Sequence, residues 1–342
     1  MKYSIIIFLI VLLQLVYTSE ALVHTKRTFN HTQWGDQTFY WEYLPPGYGN
    51  GTKFPVLLFF HGMGEAPFNT VNFTTLDRVP LNAGTPPYYI SNNIWPLDLP
   101  FIVLSPQAPY GHGGGSVELA IRIVKEQYTT HADFYRIYVT GLSQGGGAVW
   151  QFISSSTTNG LNAAAVVPIC GSVAPTAGSN QFATVVSSNI PIWTFHATND
   201  ATVNISQTTT AWVNGINALG HTPVPKYTIF ATGGHSIWAN AYETNRAVNT
   251  QNYIYDWLLS YSRAPGGSTT TTSVTTTGPA TTATTASTTS TTGPASTTGT
   301  TTTGTTTTTT GGSTTGGSCP VGGGTPQVIN YSGNCSCSCT CN

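Results

Sequence analysis

Hydrophobic positions along the chain fall into short runs separated by turn-rich polar stretches. The runs at 39–44, 55–60, 101–104, 135–140, 163–169, 190–195 and 227–231 are rich in β-branched and aromatic residues and predict strands. From residue 55 onward they are continuous rather than alternating, as expected for strands covered on both faces. Between them, 116–129 carries Val117, Ile121, Val124 and Tyr128 at helical spacing. The stretches 145–154, 206–219 and 249–260 are further helical candidates. Alternating strands and helices predict an α/β domain, a mostly parallel sheet with helices on both faces. In such sheets the reactive groups sit on loops at the carboxyl ends of strands.

The pattern changes at both ends of the chain. Lys2 precedes an apolar run over 5–16 broken only by Gln14, and Ser19-Glu20-Ala21 sets small residues at a cleavage site. Residues 1–21 therefore read as a secretory signal peptide, shorter than the ~20 apolar residues of a membrane-spanning helix. The mature chain is expected to be secreted and extracellular, without stable membrane insertion. Residues 22–263 suit one large domain. Beyond Arg263 there is no Asp, Glu, Lys or Arg at all. Residues 264–318 are dominated by Thr with Gly, Ser, Ala and Pro, a composition with too little apolar surface to offset its ordering entropy. They read as a disordered linker, either an O-glycosylated stalk or a plain spacer. Residues 319–342 hold five of the six cysteines, Cys319, Cys335, Cys337, Cys339 and Cys341. An oxidising compartment favours disulfides there over a soft-metal site, and the odd number leaves one thiol free or able to pair with another chain. Cys170 ends an apolar run and reads as a buried core thiol. Six Asn-X-Ser/Thr sequons, at Asn30, Asn50, Asn72, Asn204, Asn330 and Asn334, suit the same export route.

Composition adds one exclusion. Charged residues make up 7% of the chain and the formal net charge is −1, which leaves no electrostatic footprint for nucleic acid. The scarcity also narrows the search for chemistry. Gly141-Leu142-Ser143-Gln144-Gly145 follows the run at 135–140 and fits a nucleophile elbow, a tight strand-to-helix turn that pushes a serine hydroxyl clear of the sheet. His196-Ala197-Thr198-Asn199-Asp200 follows the run at 190–195, and Asp200 is the best-placed of the domain's few carboxylates to orient a base. Gly233-Gly234-His235 follows the last run and supplies that base; His221 lies on the wrong side of its strand. His61-Gly62-Met63-Gly64 follows the run at 55–60. Its Met63 N–H, with the Gln144 N–H at the helix start, would bind an oxyanion. His61 and Trp238 are candidate substrate contacts, although the His61 ring fits a loop brace better.

These motifs recur in one order together with Tyr43-Leu-Pro-Pro-Gly-Tyr48, Ser105-Pro-Gln-Ala108, Val167-Pro-Ile-Cys-Gly171 and Gly234-His-Ser-Ile-Trp238. Over about residues 38–260 the chain resembles the secreted phospholipase/carboxylesterase-type α/β-hydrolases. That group is related to the feruloyl esterases and polyhydroxybutyrate depolymerases. The resemblance implies an α/β-hydrolase fold, with Ser143, Asp200 and His235 as catalytic triad and Met63 and Gln144 as oxyanion donors. Two departures are Ala197, where the family usually has Gly, and the Gly145-Gly-Gly147 opening of the helix. Such a triad needs no metal and no organic cofactor. The expected partner is an ester substrate, aryl or acetyl esters of polysaccharide first. The alternatives are polyhydroxyalkanoate depolymerase or general carboxylesterase activity, a catalytically idle surface or matrix protein on a mucin-like stalk, and a carbohydrate-binding role for the tail. Trp95, Trp150, Trp193 and Trp238 fit either a cleft or the core.

Overall fold

A computed structural model describes residues 22–30 and 37–263, and the backbone of 269–271. The expected signal peptide and tail lie outside the described residues, as does all of the linker except that backbone. Among the described residues no helix is long and apolar enough to cross a membrane.

Eight strands form one sheet: β1 (His24–Asn30), β2 (Gln37–Tyr43), β3 (Phe54–Phe60), β4 (Ile102–Pro106), β5 (Ala132–Leu142), β6 (Ala165–Ile169), β7 (Trp193–Ala197) and β8 (Lys226–Phe230). Their order across the sheet is β1-β2-β4-β3-β5-β6-β7-β8. The first two pairings, β1 with β2 and β2 with β4, are antiparallel, and all the others are parallel. The crossovers are built by α1 (Pro86–Ser91), α2 (Gly114–Gln127), α3 (Gln144–Ser155), α4 (Thr157–Leu161), α5 (Gln181–Ser188) and α6 (Thr209–Ala218), and α7 (Trp238–Ala241) and α8 (Ile254–Leu259) follow β8.

The continuous apolar runs have the cause inferred for them. Every residue of β3 is buried, and alternate side chains serve two separate cores. Val56, Leu58 and Phe60 pack with Val117, Ile121 and Val124 of α2 and Val149 and Ile153 of α3. Leu57 and Phe59 pack on the other face with Ile90 of α1 and Ile254, Tyr255 and Leu258 of α8. Period-2 alternation is thus present in space, while both halves of the pattern are apolar.

Several elements carried no readable signal. β1 is polar (HTKRTFN) and only its Phe29 is buried. It is held by its full register on β2 and by Arg27, whose Nε and Nη2 donate to Glu42 at 3.0 and 2.9 Å. The 86–91 helix is too short to show a period. It starts on Thr85, whose hydroxyl accepts from the Tyr88 N–H, with proline at its first positions, where a missing N–H costs nothing. The helix expected over 249–260 contracts to Ile254–Leu259, because Asn245 and Asn249 close turns ahead of it. Backbone is described for three residues of the threonine-rich stretch. β10 (Thr269–Thr271) pairs antiparallel with β9 (Tyr261–Arg263), consistent with the strand propensity of threonine. Of the four tryptophans singled out, Trp95, Trp150 and Trp193 are core residues.

Trp150 of α3 stacks on Trp212 of α6 with centroids 5.0 Å apart and rings 2° from parallel. Both are fully buried. Trp150→Ala is expected to lower the unfolding free energy by about 3–5 kcal/mol, measured by urea titration. A loss below about 1 kcal/mol would show that the site collapses around the missing ring.

Candidate active site

The elbow forms because backbone must pass within contact distance of backbone. A Cβ on Gly145 would stand 2.0 Å from the Phe60 carbonyl oxygen, and one on Gly141 2.6 Å from the Gly145 carbonyl carbon. With glycine at both places α3 enters directly above β5, and the turn residue between them takes φ 53°, ψ −116°. That residue is Ser143. Its strained backbone is held by three hydrogen bonds. Its N–H donates to Ile169 O at 2.9 Å, and its carbonyl accepts from Gly147 N–H at 2.9 Å and Ser172 N–H at 3.0 Å.

The other expected groups converge on it. His235 Nε2 lies 2.8 Å from Ser143 Oγ, and His235 Nδ1 lies 2.7 Å from Asp200 Oδ2. The loop bearing His235 turns on Gly233 and Gly234 at φ 115° and 60°, conformations that favour glycine. It is tied to the loop bearing Asp200 by Gly234 N–H, which donates to Asn199 Oδ1 at 2.9 Å. Asp200 Oδ1 accepts from the N–H groups of Thr202 and Val203 at 2.9 and 2.8 Å. Burial works against the Asp200 charge, but the Val203 N–H, the His235 ring and the Thr202 N–H outweigh it and hold the carboxyl below its ordinary range.

Gln144 opens α3 and Met63 opens a short 3₁₀ turn, Met63–Glu65, so neither N–H has an intrahelical acceptor. Gly62 brings the two together: a Cβ there would lie 3.5 Å from Ser143 Cβ. The Gln144 amide packs into the space a Gly111 side chain would need and donates from Nε2 to Tyr110 O at 3.2 Å. Trp238 sets its ring at 87° to that of His235, centroids 5.7 Å apart, and donates from Nε1 to Asn82 Oδ1 at 3.1 Å.

His61 is corrected as a substrate contact. Its side chain has no exposed surface. Its Nδ1–H donates to Gly62 O at 2.6 Å and Nε2 accepts from Ala108 N–H at 3.2 Å. Burial pushes its pKa down to about 4, so the nearby Glu65, at 3.9 Å, faces a neutral ring. His61 thereby braces the Met63 turn against the loop after β4.

Two further side chains reach the site without having been assigned a role from sequence. His196, in β7, is fully buried. Its Nδ1 is 2.7 Å from Thr209 Oγ1, and its Nε2 is 3.0 Å from Val203 O and 3.1 Å from Asp200 Oδ2. A histidine inside an otherwise apolar strand is the available signal. Cys170, after β6, sits at φ 37° and donates weakly from Sγ to His235 O at 3.5 Å. Cys170, Asp200 and His235 place ligand-type atoms within 4.8 Å of one another. Burial raises the thiol pKa to about 12, which disfavours the thiolate form that binds metals, and the other two groups engage each other.

No protein-family model and no curated protein matches the chain. Solved structures do. A thermostable esterase superposes with a TM-score of 0.50 at 24% identity, covering 70% of this chain and 63% of its own. The apo form of Thermogutta terrifontis esterase 2 gives 0.50 at 14% identity, covering 71% of this chain and 96% of its own. The chain therefore spans less than two thirds of the first of these relatives. With the strand order and the elbow, these likenesses establish the α/β-hydrolase fold.

Asp200 makes stability depend on pH with a defined sign. Its folded pKa is lowered, so its contribution is fully present above the unfolded value near 4 and is lost as pH falls through the still lower folded value. In urea titrations the stability gap between the parent and Asp200→Asn is expected to be widest at neutral pH and to close below about pH 4. A gap unchanged in acid would contradict this.

Proposed function

We propose that the protein is a secreted serine carboxylic-ester hydrolase that works through an acyl-enzyme on Ser143. One observation carries the reading: the unbroken chain from Ser143 Oγ through the His235 ring to Asp200 Oδ2, at 2.8 and 2.7 Å, with the serine on a strained elbow at a helix start. A serine hydroxyl is a weak nucleophile at neutral pH. As it attacks the ester carbonyl, His235 Nε2 takes its proton, and Asp200 orients and stabilises the imidazolium. The Met63 and Gln144 N–H groups receive the oxyanion. The tetrahedral intermediate collapses, breaking the bond to the alkoxy oxygen, and His235 returns the proton to the leaving alcohol. Water then enters by the same route in reverse and releases the acid from Ser143.

Aryl or acetyl esters of polysaccharide are the proposed substrates. The Trp238 ring beside His235 and the Tyr110 side chain, 66% exposed on the loop held by Gln144, offer aromatic surface for such a substrate. Export is supported by the N-terminal apolar leader and by the exposure of all four sequon asparagines among the described residues, Asn30, Asn50, Asn72 and Asn204.

A fluorophosphonate is expected to label Ser143 stoichiometrically. Ser143→Ala should lower p-nitrophenyl butyrate hydrolysis on the order of 10⁴-fold or more, and retention of parental rates by that variant sinks the assignment. Met63→Pro removes one oxyanion donor without touching the other groups, and should cost roughly 10²–10³ in kcat. Among methyl ferulate, acetylated xylan and polyhydroxybutyrate, the first two should be turned over. Turnover of polyhydroxybutyrate alone would move the reading to a depolymerase.

A further inference from the structure

Asp200 is served by one more residue than a serine–histidine–aspartate relay requires. The proton position on His196 follows from its neighbours. Its Nε2 faces two acceptors, Val203 O at 3.0 Å and Asp200 Oδ2 at 3.1 Å. A bare lone pair there would repel both, so Nε2 must carry the hydrogen. Its N–H is the better aligned on Val203 O and passes beside the carboxylate. Nδ1 is then the acceptor, and the Thr209 hydroxyl donates to it at 2.7 Å. Burial lowers the pKa of the ring, which keeps it neutral and fixes this single tautomer. The consequences for Asp200 are twofold. Oδ2 meets a partially positive N–H at 3.1 Å in addition to the His235 ring at 2.7 Å. Val203, gripped by its carbonyl, presents its own N–H to Oδ1 at 2.8 Å.

We propose that His196 is a positioning residue of the active site: its Nε2–H, locked by the Thr209 hydroxyl, holds the Asp200 carboxylate in the orientation that His235 needs. The proposal rests on the esterase reading for its kinetic test, but not for its spectroscopic one. The ring touches neither substrate nor reacting atoms, so its removal acts on turnover rather than on binding. A carboxylate free to rotate would hold the His235 imidazole less often in the productive tautomer and direction.

The test uses the full chain in four variants. His196→Leu removes the N–H. His196→Gln keeps an amide N–H close to the position of Nε2. Thr209→Val strips the locking hydroxyl, and Thr209→Ser retains it. On p-nitrophenyl butyrate, His196→Leu leaves the Val203 carbonyl unpaired and strips the dipole beside Asp200, and is expected to lose roughly 10- to 100-fold in kcat, the range for an unsatisfied buried group next to a charge, with KM within about twofold of the parent. His196→Gln should recover most of that loss. The far-downfield proton NMR signal of the His235 Nδ1–H bond to Asp200 should weaken or vanish in His196→Leu and persist in His196→Gln. Parental kcat and an intact downfield signal in His196→Leu overturn the proposal, and so does a His196→Gln protein as impaired as His196→Leu. If His196→Leu does not fold, Thr209→Val decides. It should lose about 3- to 10-fold in kcat and Thr209→Ser should not, and an unaffected Thr209→Val overturns the role. A parent protein that hydrolyses no ester and resists the fluorophosphonate fails the esterase reading instead. The NMR signal then still reports whether His196 sets the Asp200–His235 pair.

Discussion

The active end of the sheet depends on one close approach, the backbone of Gly145 against the carbonyl of Phe60 at the end of β3. There is no room for a methyl group between them. Because α3 descends that far, the chain between β5 and α3 cannot relax into an ordinary turn, and Ser143 takes a positive φ. Such a conformation costs about 1–3 kcal/mol and persists only where its surroundings over-determine it. Here they do so through three backbone bonds that tie Ser143 to β6, to the loop after it and to α3. The same approach presses Gly62 toward the Ser143 side chain, which is how the Met63 turn comes to stand beside the nucleophile.

The remaining groups follow from the strand order. β3, β5, β6, β7 and β8 are consecutive neighbours, and each gives one piece at its carboxyl end: the Met63 turn, Ser143, Cys170, Asp200 and His235. Strands lie about 4.8 Å apart, so the ends of β5 and β7 are separated by roughly 10 Å. Two hydrogen bonds and an imidazole between them fill that gap. His235, however, comes from β8, on the far side of the acid. Its loop has to double back across β7, which explains the two left-handed glycines before it and the carbonyl contact from Cys170 beneath it.

This arrangement decides what could be read from the sequence. The covered strands were legible because burial on both faces leaves no polar interruptions, as in the wholly buried β3. Ser143, Asp200 and His235 were legible because each follows such a strand, and because few other carboxylates compete. β1 was not, since its pairing is dictated by β2 rather than by any apolar face of its own. Bracing by His61 was legible from its place in the loop after a strand, but bracing by His196 was not, for a different reason. The role of His196 depends on which groups lie near its nitrogens, the Thr209 hydroxyl and the Val203 carbonyl being fixed only by tertiary contacts. A lone histidine in a sequence does not disclose its tautomer. Nor could the start of the linker disclose its pairing with residues 261–263, because a threonine-rich strand and a threonine-rich coil have the same composition.

The electrostatics of the site turn on a single charge. Among the described residues no Lys or Arg forms an ion pair with Asp200, and its only partners of that kind are His235 and His196. Burial lowers the pKa of His61, of His196 and of His112, whose ring lies 4.2 Å from that of His61, so none of them supplies a standing positive charge. The carboxylate is instead held by N–H dipoles. A fixed cation in their place would satisfy Asp200 equally before and during reaction, which is uniform binding and accelerates nothing. With dipoles alone, the proposed transfer of the Ser143 proton to His235 would add a full positive charge beside the carboxylate. Under the proposed mechanism the Coulomb gain between them would appear chiefly in the transition state, and the scarcity of charged residues that marks the whole chain would then favour turnover.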